Sequence, residues 1–153
     1  MHFFLTKAQR DDVSKLAELE RLVFVPSDGK ITKRSFLYHI NKDKNLLLVA
    51  KLTHDPNALL GYLLVFVHRK SARIYSLAIH PHHQKKGIGK ALLQRAIEYI
   101  LNLGITNIHL ELRENNKKAF KLYELLGFVV QGKRYNYYGL KENAILMIWK
   151  HPM

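Results

Sequence analysis

Apolar residues recur along this chain with two periods, one of about 3.6 and one of 2, and the two alternate. "HFFLT" (2–6) reads as a short first strand. "RDDVSKLAELERLVF" (10–24) sets Val13, Leu16, Leu19, Leu22 and Val23 at helical spacing. "VPSDGK" (25–30) breaks that pattern. "ITKRSFLYHIN" (31–41) predicts a second, shorter helix with Thr32 as its cap. The runs "NLLLVAKL" (45–52) and "ALLGYLLVFVHR" (58–69) flank the turn signal "THDPN" and predict a hairpin. "ARIYSLAIH" (72–80) is another strand, ended by Pro81.

A long helix follows, from Gly87 to about Leu103. Ile88, Ala91, Leu92, Ala96, Tyr99, Ile100 and Leu103 form its apolar stripe, and Gly104 stops it. "TNIHLELR" (106–113) alternates strictly, with Ile108, Leu110 and Leu112 on one face and His109, Glu111 and Arg113 on the other. "NNKKAFKLYELLG" (115–127) predicts a helix with an Asn cap, a stripe at Ala119, Leu122, Tyr123 and Leu126, and Gly127 as its stop. "FVVQGKRYNYY" (128–138) and "NAILMIWK" (143–150) are final strands. The order β-α-α-β-β-β-α-β-α-β-β predicts a central mixed sheet with helices on both faces, the α/β class in its α+β form.

The chain has 153 residues, suited to a single domain over 1–153, and 48% of them are apolar, enough for a full core. No cysteine is present, which excludes disulfides, thiolate metal sites and a cysteine nucleophile. "MHFFLTKAQRDD" lacks the apolar run and cleavage site of a signal peptide, and no run approaches the ~20 residues that span a bilayer, so a cytoplasmic protein without a membrane contact is expected. Against 25 Lys and Arg stand 12 Asp and Glu, a formal charge of +13. Such a field draws polyanions: phosphates, nucleic acid or acidic protein surfaces.

"QKKGIGKALL" (84–93) sets two glycines among three lysines at the mouth of the long helix. A helix start carries unpaired N–H groups and about half a positive charge. Bare backbone at Gly87 and Gly89, with Lys85, Lys86 and Lys90 beside it, predicts a cradle for a pyrophosphate. The competing reading is a tight turn with solvated lysines. The spacing does not match the P-loop or the dinucleotide fingerprint.

"SLAIHPHHQKKGIGKALL" resembles the coenzyme A-binding segment of the GNAT family of N-acetyltransferases. The family pattern is Gln/Arg-x-x-Gly-x-Gly/Ala after a strand ending in Val/Ile-x-Pro; here it is Gln84, Lys85, Lys86, Gly87, Ile88, Gly89 after Ile79-His80-Pro81. The strand and helix order is also that family's. "LELRENNKKAFKLYELLGF" and "RYNYYGLKENAILM" resemble the branch that acetylates the N-terminal alanine of ribosomal proteins. The resemblance implies an acetyl-CoA-dependent enzyme, with the pantetheine arm paired to the backbone of Leu77, Ala78 and Ile79, and with Asn116 on a pantetheine amide. Asn116 read by itself is a helix cap.

An attacking amine must be neutral. At pH 7 deprotonation costs about 1.4 kcal/mol for an α-amine of pKa ~8 and about 4.6 kcal/mol for a lysine of ~10.4. Glu111, a carboxylate on a central strand, suggests a cleft and matches the family's base; otherwise it pairs with Arg113 or a nearby lysine. Tyr123 matches the family's proton donor to the leaving thiolate, and equally continues its helix's apolar stripe. The resemblance sets Tyr137 and Tyr138 in a substrate-side loop, while strand aromatics packing across a sheet explain them as well. His80, His82 and His83 have no evident fourth ligand, so no metal is expected. Two other acceptors or roles stay open: a small-molecule amine, or a nucleic-acid-associated module without turnover, touching ribosome or RNA through the basic surface. Against the latter, aromatic and basic residues do not interleave along one strand.

Overall fold

The computed structural model describes residues 2–24 and 31–150. The break predicted at 25–30 lies outside the described residues. Seven strands form one sheet: β1 (Phe3–Lys7), β2 (Leu46–Leu52), β3 (Asp55–Val67), β4 (Ala72–Ile79), β5 (Asn107–Arg113), β6 (Val129–Gly139) and β7 (Glu142–Lys150). Four helices accompany them: α1 (Val13–Val23), α2 (Lys33–Asn41), α3 (Ile88–Asn102) and α4 (Lys117–Leu125). Strand order is β1-β2-β3-β4-β5-β7-β6. Neighbours run antiparallel except β4 and β5, which are parallel and joined through α3. That parallel pair needs a crossover helix, and α3 supplies it.

Strand β2 shows why its sequence does not alternate. Leu46, Leu48 and Ala50 pack with α3 and α4 on one face, whereas Leu47 and Val49 pack with α1 and α2 on the other. A strand covered on both faces is apolar throughout. Leu63, Val65 and Val67 of β3 join the first core, and Tyr62 and Leu64 the second. Phe36 of α2 meets the Tyr62 ring edge-on at 5.4 Å.

Caps fall where the sequence sets them. Thr32 Oγ1 accepts from the Ser35 N–H at 3.1 Å, and Asn116 Oδ1 from the Ala119 N–H at 3.2 Å. Each satisfies a donor the first turn leaves open.

Three details differ from expectation. The hairpin turn is confined to Thr53 and His54, and β3 already begins at Asp55. The register slips between Ala50, Lys51 and Leu52, so Pro56 sits in an irregular stretch where its missing N–H costs no ladder bond. In α1 the buried face holds Leu16, Ala17, Leu19 and Glu20, while Leu22 is exposed. Leu103, assigned to the α3 stripe, is half exposed just past the helix.

Candidate active site

The sheet is unzipped at its centre. Strands β4 and β5 pair only over Ala72–Ile74 and Ile108–Leu110. Beyond that point β4 stays with β3 and β5 stays with β7. Opposite β3 the register passes from Ser76 to Ile74, leaving Tyr75 as an extra residue. A bulge bends its strand and increases local twist, and here it stands where the two parallel strands part. The Tyr75 ring stacks on Phe66 at 4.4 Å, which holds the bulge outward.

Between the parted strands lies a cleft of about 1200 Å³. Backbone alternation decides which groups of β4 face it. His80 N–H donates to Leu60 O at 2.8 Å, so the even-numbered residues at this end of β4 bond to β3. Leu77 and Ile79 therefore turn their N–H and C=O toward the cleft. Both line it. Gln84 Nε2 donates to Ile79 O at 3.5 Å and ties the following loop to the strand end. Ala78 is different: its side chain is buried in the α1–α2 core and its backbone faces β3.

Gln84, Lys85, Gly87, Ile88, Gly89 and Lys90 also line the cleft, at the α3 start, whereas Lys86 does not. The loop turns through left-handed conformations at Lys85 (φ 63°) and Gly87 (φ 80°). A Cβ built on Gly87 meets nothing within 4 Å, so the backbone there is open to a ligand. At Gly89 a Cβ would stand 3.2 Å from Leu122 Cδ2, and Ile79 is also close. The first glycine thus serves the turn and the open backbone. The second lets α3 pack against α4, a different reason from the one the sequence suggested. Gly87→Ala should cost about 1–2 kcal/mol of stability from its positive φ and weaken binding of a diphosphate-bearing ligand severalfold. Denaturant melts and calorimetric titration check this; unchanged values in both would show that the turn is dispensable.

Glu111, Tyr123, Tyr137, Tyr138, Asn115 and Asn116 line the same cleft. Glu111 takes neither partner expected of it. Arg73 Nε donates to its Oε2 at 2.9 Å across the β4–β5 pair. Arg73 also reaches the Tyr137 hydroxyl at 3.5 Å. Arg113 instead pairs with Glu142 at 3.3 Å and lies over the Tyr138 ring at 4.6 Å. Tyr123 is the buried residue of α4, edge-on to Phe128 at 5.5 Å. Burial raises its phenol above the ordinary range, with a smaller push from Tyr138, so it stays protonated. Burial likewise raises Tyr138, to about 12.

Glu20 and Arg73 are among the charged groups of the cleft wall that were not singled out from sequence. Glu20 is 2% exposed and lines the cleft from α1. Its distance of four residues from Leu16 was the available signal. Arg73 needed the register, which sets it opposite His109. His83 lines the cleft, and burial lowers its imidazole, with Lys86 nearby adding to the effect. Among the described residues no group of three His, Asp or Glu side chains is placed to hold a metal ion.

A family model for the acetyltransferase (GNAT) family matches residues 13–128. The ribosomal protein bS18-alanine N-acetyltransferase of Haemophilus influenzae is 32% identical over 134 residues, 85% of this chain and 90% of that protein. Its Escherichia coli K12 namesake is 38% identical over 79 residues, 50% of this chain and 53% of that protein, so this match spans about half the relative's length. The solved ribosomal-protein-S18-alanine N-acetyltransferase of Escherichia coli superposes with a TM-score of 0.86 at 23% identity, covering 99% and 96% of the two chains. The PaiA N-acetyltransferase of Thermoplasma acidophilum, solved with coenzyme A, gives 0.83 at 22% identity, covering 99% and 100%. These two structural likenesses establish the fold.

Proposed function

The chain belongs to the acetyltransferase (GNAT) family, and on that footing we propose that it moves an acetyl group from acetyl-CoA to the N-terminal α-amine of a protein, by direct attack in a ternary complex. The observation that carries this reading is the unzipped β4–β5 pair, with an open helix start at one end and Glu111 and Tyr123 in its walls. The names of the bS18-alanine relatives support a protein N-terminus as acceptor.

Acetyl-CoA supplies an activated thioester. Leu77 and Ile79 offer it a strand edge that β5 has left, and their N–H groups are suited to the carbonyl oxygen as it gains charge. The amides of Gly87, Ile88 and Gly89, with Lys85 and Lys90, suit its diphosphate. Gln84 shapes that loop through Ile79 O. Asn116, which caps α4 through its side-chain oxygen, keeps its amide N–H₂ for a pantetheine carbonyl.

The amine nitrogen bonds to the carbonyl carbon, and the carbon–sulfur bond breaks. Glu111 receives the amine's proton, directly or through a water, while Arg73 fixes the carboxylate's orientation. Tyr123 donates its proton to the departing thiolate. Tyr137 and Tyr138 line the mouth that a peptide terminus would enter. An unbiased peptide-library acetylation with mass-spectrometric readout, beside a panel of small amines, tests the acceptor. Peptide N-termini should be modified; transfer confined to small amines would overturn the protein assignment, and no transfer at all would overturn the enzyme.

A further inference from the structure

We propose that the exposed edge strand β6 is a docking surface for single-stranded RNA. The proposal is independent of acetyl transfer and uses residues outside the cradle.

Strand β6 ends the sheet, paired on one side only, with β7. Its ladder breaks between Arg134 and Gly139, so Tyr135 to Tyr138 stand out from it. The outward segment has a definite shape. Asn136 N–H donates to Asn143 Oδ1 at 2.9 Å, and Lys141 N–H to Asn136 Oδ1 at 2.7 Å. Asn136 adopts φ 57°, which its side chain tolerates and which completes the turn.

On this pinned segment two cations, Lys133 and Arg134, precede three tyrosines and lie against two of their rings. Tyr135 is 72% exposed, with Lys133 Nζ 5.1 Å from its ring. Arg134 lies 5.9 Å from the Tyr137 ring. Lys133 also pairs with Glu114, while Arg134 and Lys141 are exposed. From Leu125 to Lys141 the sequence contains no Asp or Glu. In sequence the two cations precede the tyrosines, as expected, and it is the fold that sets them against the rings.

Two features choose the partner. The net charge of +13 disfavours a second copy of the chain and favours a polyanion. An acidic peptide would satisfy the cations but has no use for exposed rings. A single-stranded nucleic acid uses both, with a base stacked on the Tyr135 ring, which does not line the cleft, and phosphates on Arg134 and Lys141. Duplex RNA keeps its bases stacked inside and gains only the charge.

The test is fluorescence anisotropy of a labelled twelve-nucleotide oligouridine, with acetyl-CoA saturating so that the cradle is filled. Wild-type protein should bind with log affinity falling against log salt at a slope of about −1.5 to −2, from two to three phosphate contacts. Tyr135→Ala should weaken binding about tenfold. R134Q combined with K141Q should flatten the slope by about 1.4. Acetyl transfer to a short peptide should stay at the wild-type rate in Tyr135→Ala. Failure to bind at low salt, undiminished binding by Tyr135→Ala, equal competition by a polyglutamate peptide, or loss of binding when acetyl-CoA is added would each overturn the proposal. Inactivity toward every amine would leave it standing, since the RNA readout does not involve turnover.

Discussion

Replacing Glu111 with Gln is expected to lower kcat by about 10²–10⁴-fold, the range for loss of a positioned general base, while acetyl-CoA affinity stays at the wild-type value. The substitution is nearly isosteric. The amide oxygen still accepts from Arg73, whose Nε stands 2.9 Å from the native carboxylate, so the β4–β5 contact is kept. What is lost is the negative charge facing Arg73 and the ability to take a proton. That matters most for a protonated amine. An α-amine is about one pKa unit above neutral pH, a barrier of about 1.4 kcal/mol that a base must relieve. Steady-state release of free thiol, combined with calorimetric titration of acetyl-CoA, separates turnover from binding. Unchanged turnover would remove Glu111 as the proton acceptor. A loss confined to acetyl-CoA binding would assign it to the cleft's architecture.

The second large effect is expected at Tyr123. Tyr123→Phe removes one oxygen and keeps the ring against Phe128, so stability should change little. kcat should fall by about 10²-fold. Burial holds the phenol protonated, which suits a donor and not an acceptor. The loss should shrink with a donor thioester whose leaving thiol is more acidic, because such a thiolate departs without help. Were Tyr123 only a core residue, as its helix stripe alone would allow, the phenylalanine variant would turn over both donors at the wild-type rate.

Much of this architecture was legible from spacing. The β5 alternation put Ile108, Leu110 and Leu112 inside and Glu111 opposite them, and that is their arrangement. The order of elements and the caps at Thr32 and Asn116 followed from local signals, because a cap and its partner lie within one turn. What depended on pairing was not legible. The bulge at Tyr75 arises from the β3–β4 register, and the Arg73–Glu111 ion pair joins residues 38 apart in the chain; periodicity encodes neither. Glu20 was hidden for another reason: a carboxylate on an amphipathic helix reads as polar face, and α1 turned it inward instead.

The glycines teach a similar lesson. "GIG" suggested one purpose, yet Gly87 serves a left-handed turn and open backbone while Gly89 makes room for Leu122. The spacing of the two was visible in the sequence, but their separate reasons required the position of α4.

The parted strands β4 and β5 are the expected place where acetyl-CoA is held. A crystal structure of the protein soaked with acetyl-CoA measures this directly. The diphosphate is expected on the amides of Gly87, Ile88 and Gly89, the pantetheine along Leu77 and Ile79, and the thioester sulfur within reach of the Tyr123 hydroxyl. A cofactor bound elsewhere, with the cleft between β4 and β5 unfilled or the sulfur remote from Tyr123 and Glu111, would contradict it.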